Sequence, residues 1–305
     1  MRIVMKKLIR LAWINIVIVI ALVSACSSPT VNQQQLIISA LPDQKPEILQ
    51  PLYDSLAGYL QQKLGIPVKY QAVSTYDEAL NGFRLGKLDM VWFGGLTGVE
   101  ARLRVDGAQA IVQRDIDAAF QSVFIANTRT GLKPFSDVNG LRQLKGHSFT
   151  FGSSSSTSGS LMPEYYLLQA GVQLTDFKGP VYFSGTHDET IRLVQSGTYD
   201  AGALNIQVWN SRVKDGTIDP AKLTMLWETP HFFDYHWVIH PHAAQRYGED
   251  FIQQVQNAFF SLDSSVPDQA KILSGFGAKR FIATKNDNYA QIESVGRQIG
   301  RIRQY

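Results

Sequence analysis

The sequence predicts an α/β protein folded as two lobes. From residue 36 onward, short apolar runs alternate with segments of helical period, the pattern of strands joined by crossover helices. The same strand–helix grammar restarts after about residue 120. The chain of 305 residues, 45% hydrophobic and 18% charged, is long enough for two cores and too apolar for a disordered segment.

The first 25 residues stand apart from that fold. Arg2, Lys6, Lys7 and Arg10 precede an apolar run over residues 11–22, and small residues then lead to Cys26. A basic start, a run too short to span a bilayer and a small-residue break make a signal peptide over 1–25. Cys26, the one cysteine of the chain, sits where cleavage falls and resembles the lipidated cysteine of bacterial lipoproteins. Residues 26–35 then form a lipidated N-terminus and linker, tethering a soluble domain to the membrane. The charge of +3 belongs to this leader. Setting residues 1–25 aside leaves 25 basic against 26 acidic residues, so charge supplies no case for a nucleic-acid partner.

Leu36–Ala40 reads as a buried strand. Pro46 suits a first helical turn, with Ile48, Leu52, Leu56, Leu60 and Leu64 on one face and Gly65 as its stop. A strand at 68–73 follows, then a helix opened by Thr75 and Glu78 in a capping-box arrangement. The strand at 88–93 runs into Gly94-Gly95 and another helix. In the second half, strands are expected at Ser122–Asn127, Phe149–Phe151, 181–183, 201–204, 223–227 and 235–239. Helices fall at 161–170, from Thr186 to Gly197, and at 207–213. Phe251, Val255, Phe259 and Leu262, then Ile292, Val295, Ile299 and Ile302, mark one-sided helices at the end.

The strongest local feature is the hydroxyl-rich loop from Gly152 to Ser160, between a strand and a helix. Hydroxyls together with the free amides of a helix start form a donor-rich cradle for an oxyanion. A plain helix cap or linker explains the same residues without a ligand, and the loop lacks the lysine of a nucleotide-binding P-loop. His187 begins the next helix, Asn205 ends the strand after it, and Gly94 and Gly95 allow close backbone approach in the first half. All these turns follow strands, where open α/β sheets bind ligands. A hydrolase using Ser158 and His187 is the alternative from another class, but Asp188 adjoins His187 too closely to orient it as a triad acid does. His236, His240 and His242 alternate along a strand and do not point to one metal. No cofactor is implied.

Taken in order, several segments resemble the phosphonate- and phosphite-binding proteins of ABC importers. Asp89-Met90-Val91-Trp92-Phe93-Gly94 is similar to that family's D-x-x-W-Y-G turn, and Ser156-Thr157-Ser158-Gly159 to its anion loop. Gly185-Thr186-His187 resembles its Gly-x-His turn, and Asp200-Ala201-Gly202-Ala203-Leu204-Asn205 a later D-x-G-A-x-D segment. The likeness runs from about Leu36 to Trp237. It implies a type II periplasmic-binding-protein fold, with crossings near Ser122–Asn127 and 235–239, lobe one at 36–124 plus 236–305, and lobe two at 125–235. It implies a monomer that binds a small oxyanion in the interlobe cleft and delivers it to a transporter permease. Ser156, Thr157, Ser158, His187 and Asn205 would face Phe93, Gly94 and Gly95 across the cleft.

Two departures bear on the ligand. Phe93 stands where the family usually has tyrosine, and Asn205 where phosphite and phosphonate binders commonly have aspartate. A carboxylate suits an oxyanion that still carries a proton, whereas asparagine can donate to a fully ionised one. With the wording of residues 91–98, which is similar to a selenate-binding subgroup, this predicts a selenate- or sulfate-like ligand. A phosphite or phosphonate receptor is the alternative.

Overall fold

The computed structural model describes residues 35–303. The expected signal peptide, the lipidation site Cys26 and the linker up to residue 34 lie outside the described residues.

Two mixed sheets organise the chain. The first contains β1 (Leu36–Ala40), β2 (Val68–Tyr70), β3 (Met90–Phe93), β4 (Gln109–Arg114), β10 (His236–Ile239) and β11 (Phe281–Ala283), in the order β11-β4-β10-β3-β1-β2. The strands β2, β1 and β3 are parallel; β10 is antiparallel to both β3 and β4, so β4 runs the same way as the first three, and β11 is antiparallel to β4. The second contains β5 (Ser122–Asn127), β6 (Phe149–Phe151), β7 (Tyr182–Phe183), β8 (Ala201–Asn205) and β9 (Leu223–Glu228), in the order β7-β6-β8-β5-β9. Here β7, β6 and β8 run parallel while β5 is antiparallel to β8 and β9.

Helices α1 (Pro46–Leu64), α2 (Tyr76–Arg84) and α3 (Gly95–Arg104) follow the first three strands. Their ends have local causes. Pro46 opens α1 and Gly65, at φ +68°, closes it. The Thr75 hydroxyl accepts from Glu78 N at 3.1 Å, capping α2. In the second half α4 (Met162–Gln169) continues from a wide turn over Thr157–Leu161, α5 (His187–Gln195) is capped by Thr186 accepting from Glu189 N at 3.1 Å, and α6 (Ile206–Lys214) starts on Asn205. Helices α7 (Pro241–Tyr247), α8 (Phe251–Phe260), α9 (Pro267–Gly275) and α10 (Ala290–Gln298) return to the first sheet.

Strands β4 and β11 and helix α9 are not legible as such in the sequence. Strand β4 carries Gln113 and Arg114 at fully enclosed positions, so its apolar run is interrupted. Strand β11 has only three residues.

The chain crosses from the first sheet to the second in residues 115–121 and back in residues 229–235. The two crossings touch through a reciprocal pair of backbone hydrogen bonds between Phe120 and Phe232, each 2.9 Å. Strand β5 pairs throughout in the second sheet, so a boundary drawn between 124 and 125 divides a strand. Arg114 braces the crossing: its guanidinium grips Asp117 through Nε (2.8 Å) and Nη2 (2.6 Å), bonds Phe276 O, and lies over Trp92, Phe120 and Tyr235. Its charge is spent on Asp117, which leaves little for the long-range attraction of an anion.

Candidate functional site

The carboxyl ends of β1, β3, β6 and β8 meet at the seam between the lobes, and the turns that follow them supply the site. Strand β1 leads to Asp43, β3 to Gly94-Gly95, β6 to the hydroxyl loop and β8 to Asn205; His187 follows β7 at the start of α5. The lobes are closed on one another here. Leu96 N donates to Thr157 Oγ1 at 2.9 Å, His187 N to Asp43 O at 3.0 Å, and Lys45 N to Asp188 Oδ2 at 3.2 Å.

The hydroxyl loop divides its labour. Ser156 caps the following turn, its Oγ accepting from Gly159 N at 3.0 Å. Thr157 fastens the opposite lobe through Leu96. Ser158 is buried and its Oγ has no hydrogen-bond partner. On the facing side Gly94 and Gly95 let the chain come close: a β-carbon on Gly94 would stand 3.2 Å from both Asp234 Oδ1 and Thr157 Oγ1. Gly95 N donates to Asp234 Oδ1 at 2.8 Å.

A second network runs through Tyr235. Its hydroxyl donates to Asp43 Oδ2 (2.7 Å) and accepts from Asn205 Nδ2 (3.2 Å), while His187 Nε2 lies 3.3 Å away. Asn205 N donates to His187 Nδ1 at 3.4 Å, so Nε2 carries the ring proton and points at the phenol. Burial lowers the His187 pKa to about 4, leaving a neutral donor at physiological pH. Burial raises the carboxyl of Asp43 to about 6 and that of Asp234 to about 7. The phenols of Tyr76 and Tyr235 are raised well above their ordinary value by the same cause.

The seam brings together Ser156, Thr157, Ser158, His187, Asn205, Gly94 and Gly95. Phe93 enters differently. Its ring is fully buried edge-on to Phe83 at 5.6 Å, in one apolar cluster with Tyr76, Leu41 and Val91. It belongs to the core behind the Gly94-Gly95 turn, and the Tyr76 phenol lies beside Ser156. The imagined triad is not assembled: both His187 nitrogens face Asn205 N and Tyr235, and Asp188 is paired with Arg212 at 2.6 Å. His236 bonds Arg102 at 2.7 Å, whereas His240 and His242 stack together beside Asp89.

Comparison with known proteins decides the family. Residues 38–289 match the family model of ABC-transporter phosphonate periplasmic substrate-binding proteins. The chain belongs to this phosphonate-binding family. Within it, a Prochlorococcus marinus protein named as a probable ABC-transporter phosphite-binding protein is 44% identical over 284 residues, 92% of this chain and 96% of that one. The crystal structure of that organism's protein in complex with methylphosphonate superposes with a TM-score of 0.86, covering 89% of this chain and all of the other. A binding component of a Pseudomonas aeruginosa phosphonate ABC transporter, 20% identical, shares the fold at a TM-score of 0.76, over 88% of each chain.

As a member of the phosphonate-binding family, the chain has the two-lobed periplasmic binding fold, and its relatives are transport receptors and not enzymes. Three residues of the site escaped sequence reasoning: Asp43, Asp234 and Tyr235. Asp43 was within reach, since it follows β1 as the other site turns follow their strands. Asp234 and Tyr235 lie on a crossing segment that carries no local motif. Their presence corrects the inference drawn from Asn205. Asn205 Oδ1 accepts from Gln207 N (2.7 Å) and Val208 N (3.2 Å) and its Nδ2 serves Tyr235. Its side chain is therefore occupied by the fold, and a missing carboxylate at 205 does not mean a site without carboxylates.

Proposed function

We propose that this protein captures phosphite or a small phosphonate in the interlobe cleft and delivers it to an ABC importer. The observation that carries the reading is the pair of buried carboxylates, Asp43 and Asp234, set among hydroxyl, amide and neutral imidazole donors. Donors suit the ionised oxygens of the ligand, and carboxylates suit an oxygen that retains a proton. Sulfate and selenate carry no such proton near neutrality, so a buried carboxylate with an unengaged oxygen, Asp234, favours a phosphorus acid over them. The names of the relatives above support the same choice.

In this reading Ser156, Thr157 and Ser158 donate from lobe two, His187 joins them once its Nε2–H exchanges the Tyr235 phenol for a ligand oxygen, and Gly94 and Gly95 close from lobe one. Asn205 holds Tyr235, and Phe93 supports the Gly94-Gly95 turn from the core. Closure would present the joined lobes to the permease. Lipidation at Cys26 would keep the receptor at the membrane.

Isothermal calorimetry of the purified protein with phosphite, methylphosphonate, sulfate and selenate tests the proposal. Tight binding of a phosphorus acid with at least about 100-fold weaker sulfate and selenate, about 3 kcal/mol, is expected. Preference for sulfate or selenate would reject it.

A further inference from the structure

We propose that Asp234 and Ser158 read the protonation state of the bound anion, with one proton held between Asp234 Oδ2 and a ligand oxygen while the Ser158 hydroxyl donates to the ligand. This rests on the phosphite/phosphonate reading above. Asp234 and Ser158 are each 1% exposed, and neither Asp234 Oδ2 nor Ser158 Oγ has a partner at hydrogen-bond distance, although the Ser158 hydroxyl lies near enough to lower the carboxyl's pKa. Buried polar atoms are ordinarily paired, and leaving them unpaired is costly. One of these atoms is an acceptor and the other a donor, and they come from different parts of the chain, the return crossing and the hydroxyl loop. The other oxygen, Oδ1, is fixed by Gly95 N, which aims the carboxylate.

The charged and titratable surroundings single Asp234 out. Asp117, on the first crossing, acts on it as a like charge but is itself gripped by Arg114. From α2 and from the segment before α10, Tyr76 and Tyr289 present phenols that stay neutral, as does the neighbouring Tyr235. Burial lowers both His187 and His236, whose Nδ1 faces Asp234 O at 2.9 Å, keeping them uncharged. Thr157 and Ser158 bring only hydroxyls. Burial foremost, with Asp117 adding, lifts Asp234 to about 7, partly offset by Gly95 N and the two hydroxyls. Asp43, the other raised carboxyl, already receives the Tyr235 hydroxyl on Oδ2. The acceptor role that the family resemblance gives to position 205 thus passes to position 234.

A proton shared in this way has a thermodynamic signature. Once the free ligand and Asp234 are both ionised, binding must take up a proton, and affinity falls about tenfold per pH unit. Calorimetry with phosphite and methylphosphonate from pH 6 to pH 9.5, in buffers of differing ionisation enthalpy, counts that proton. The wild type is expected to take up close to one proton per ligand at the alkaline end. Asp234→Asn should abolish the uptake, lose about 10- to 100-fold for phosphite and narrow the gap to sulfate. Ser158→Ala should weaken phosphite about tenfold with proton uptake retained.

Absence of proton uptake by the wild type overturns the proposal, and this holds even if Asp234→Asn does not fold. Unchanged uptake and ligand ranking in Asp234→Asn also overturns it, leaving Asp234 as an interlobe fastening. Wild-type preference for sulfate would reject the functional reading itself, and this one with it.

Discussion

Replacing Asp43 by asparagine should flatten part of the pH dependence of stability. Asp43 is 6% exposed. Burial raises its carboxyl from 3.8 to about 6, against the opposing pull of the Tyr235 hydrogen bond and the Arg114 charge, with Asp188 adding to the rise. Between those two values the native state keeps a proton that the unfolded chain has released. Its contribution is therefore complete below pH 4, is lost as pH rises to about 6, and is constant above that. From pH 4.5 to 7.5 the protein traverses about 1.5 units of that window, worth about 2 kcal/mol. Asparagine cannot titrate, and its Oδ1 can still accept the Tyr235 hydroxyl. Urea unfolding followed by tryptophan fluorescence, without ligand, measures both proteins at the two pH values; titrations common to both cancel in the difference. Asp43→Asn should lose about 2 kcal/mol less than wild type across the interval. Parallel losses would refute the claim that burial holds a proton on Asp43.

Three further outcomes follow from the seam and its brace. Thr157→Val removes the acceptor of Leu96 N and should weaken ligand binding by about 1–3 kcal/mol, with small-angle scattering showing a more open free protein. Arg114→Met strands Asp117 as a buried charge and should lower stability by about 3–5 kcal/mol in urea, most of it restored by Asp117→Asn in the same chain. The His187 imidazole should stay neutral, as the Nε2–H tautomer, down to about pH 5 by nitrogen NMR, since its pKa lies at about 4; protonation near pH 6.5 would contradict the described burial.

Much of the fold was legible because local chemistry and tertiary structure agree. Pro46, Gly65, Thr75 and Thr186 mark helix ends that the structure places within a residue or two. Strand β4 was hidden because its polar residues are buried for the hinge: Arg114 binds Asp117 and Gln113 accepts from Tyr289. The hydroxyl loop, His187 and Asn205 were visible as donors following strands. Asn205 also caps a helix through Gln207 and Val208, a role that sequence reading did not separate from ligand contact because an amide serves either. Asp234 and Tyr235 were hidden for a different reason. Their importance comes from two chain crossings meeting, a contact between residues more than 100 positions apart.

The placement of Asp234 and Tyr235 has a mechanical implication. Both side chains belong to residues 229–235, the return crossing itself, held to its counterpart through Phe120 and Phe232. A receptor that recognised its cargo only at the lips of the cleft would work like tongs, with a passive pivot. If Asp234 meets the ligand as proposed, the pivot itself bears a recognition group, and torque and selectivity are encoded in the same short peptide. Exchanging the lip loops alone would therefore transplant grip without transplanting preference.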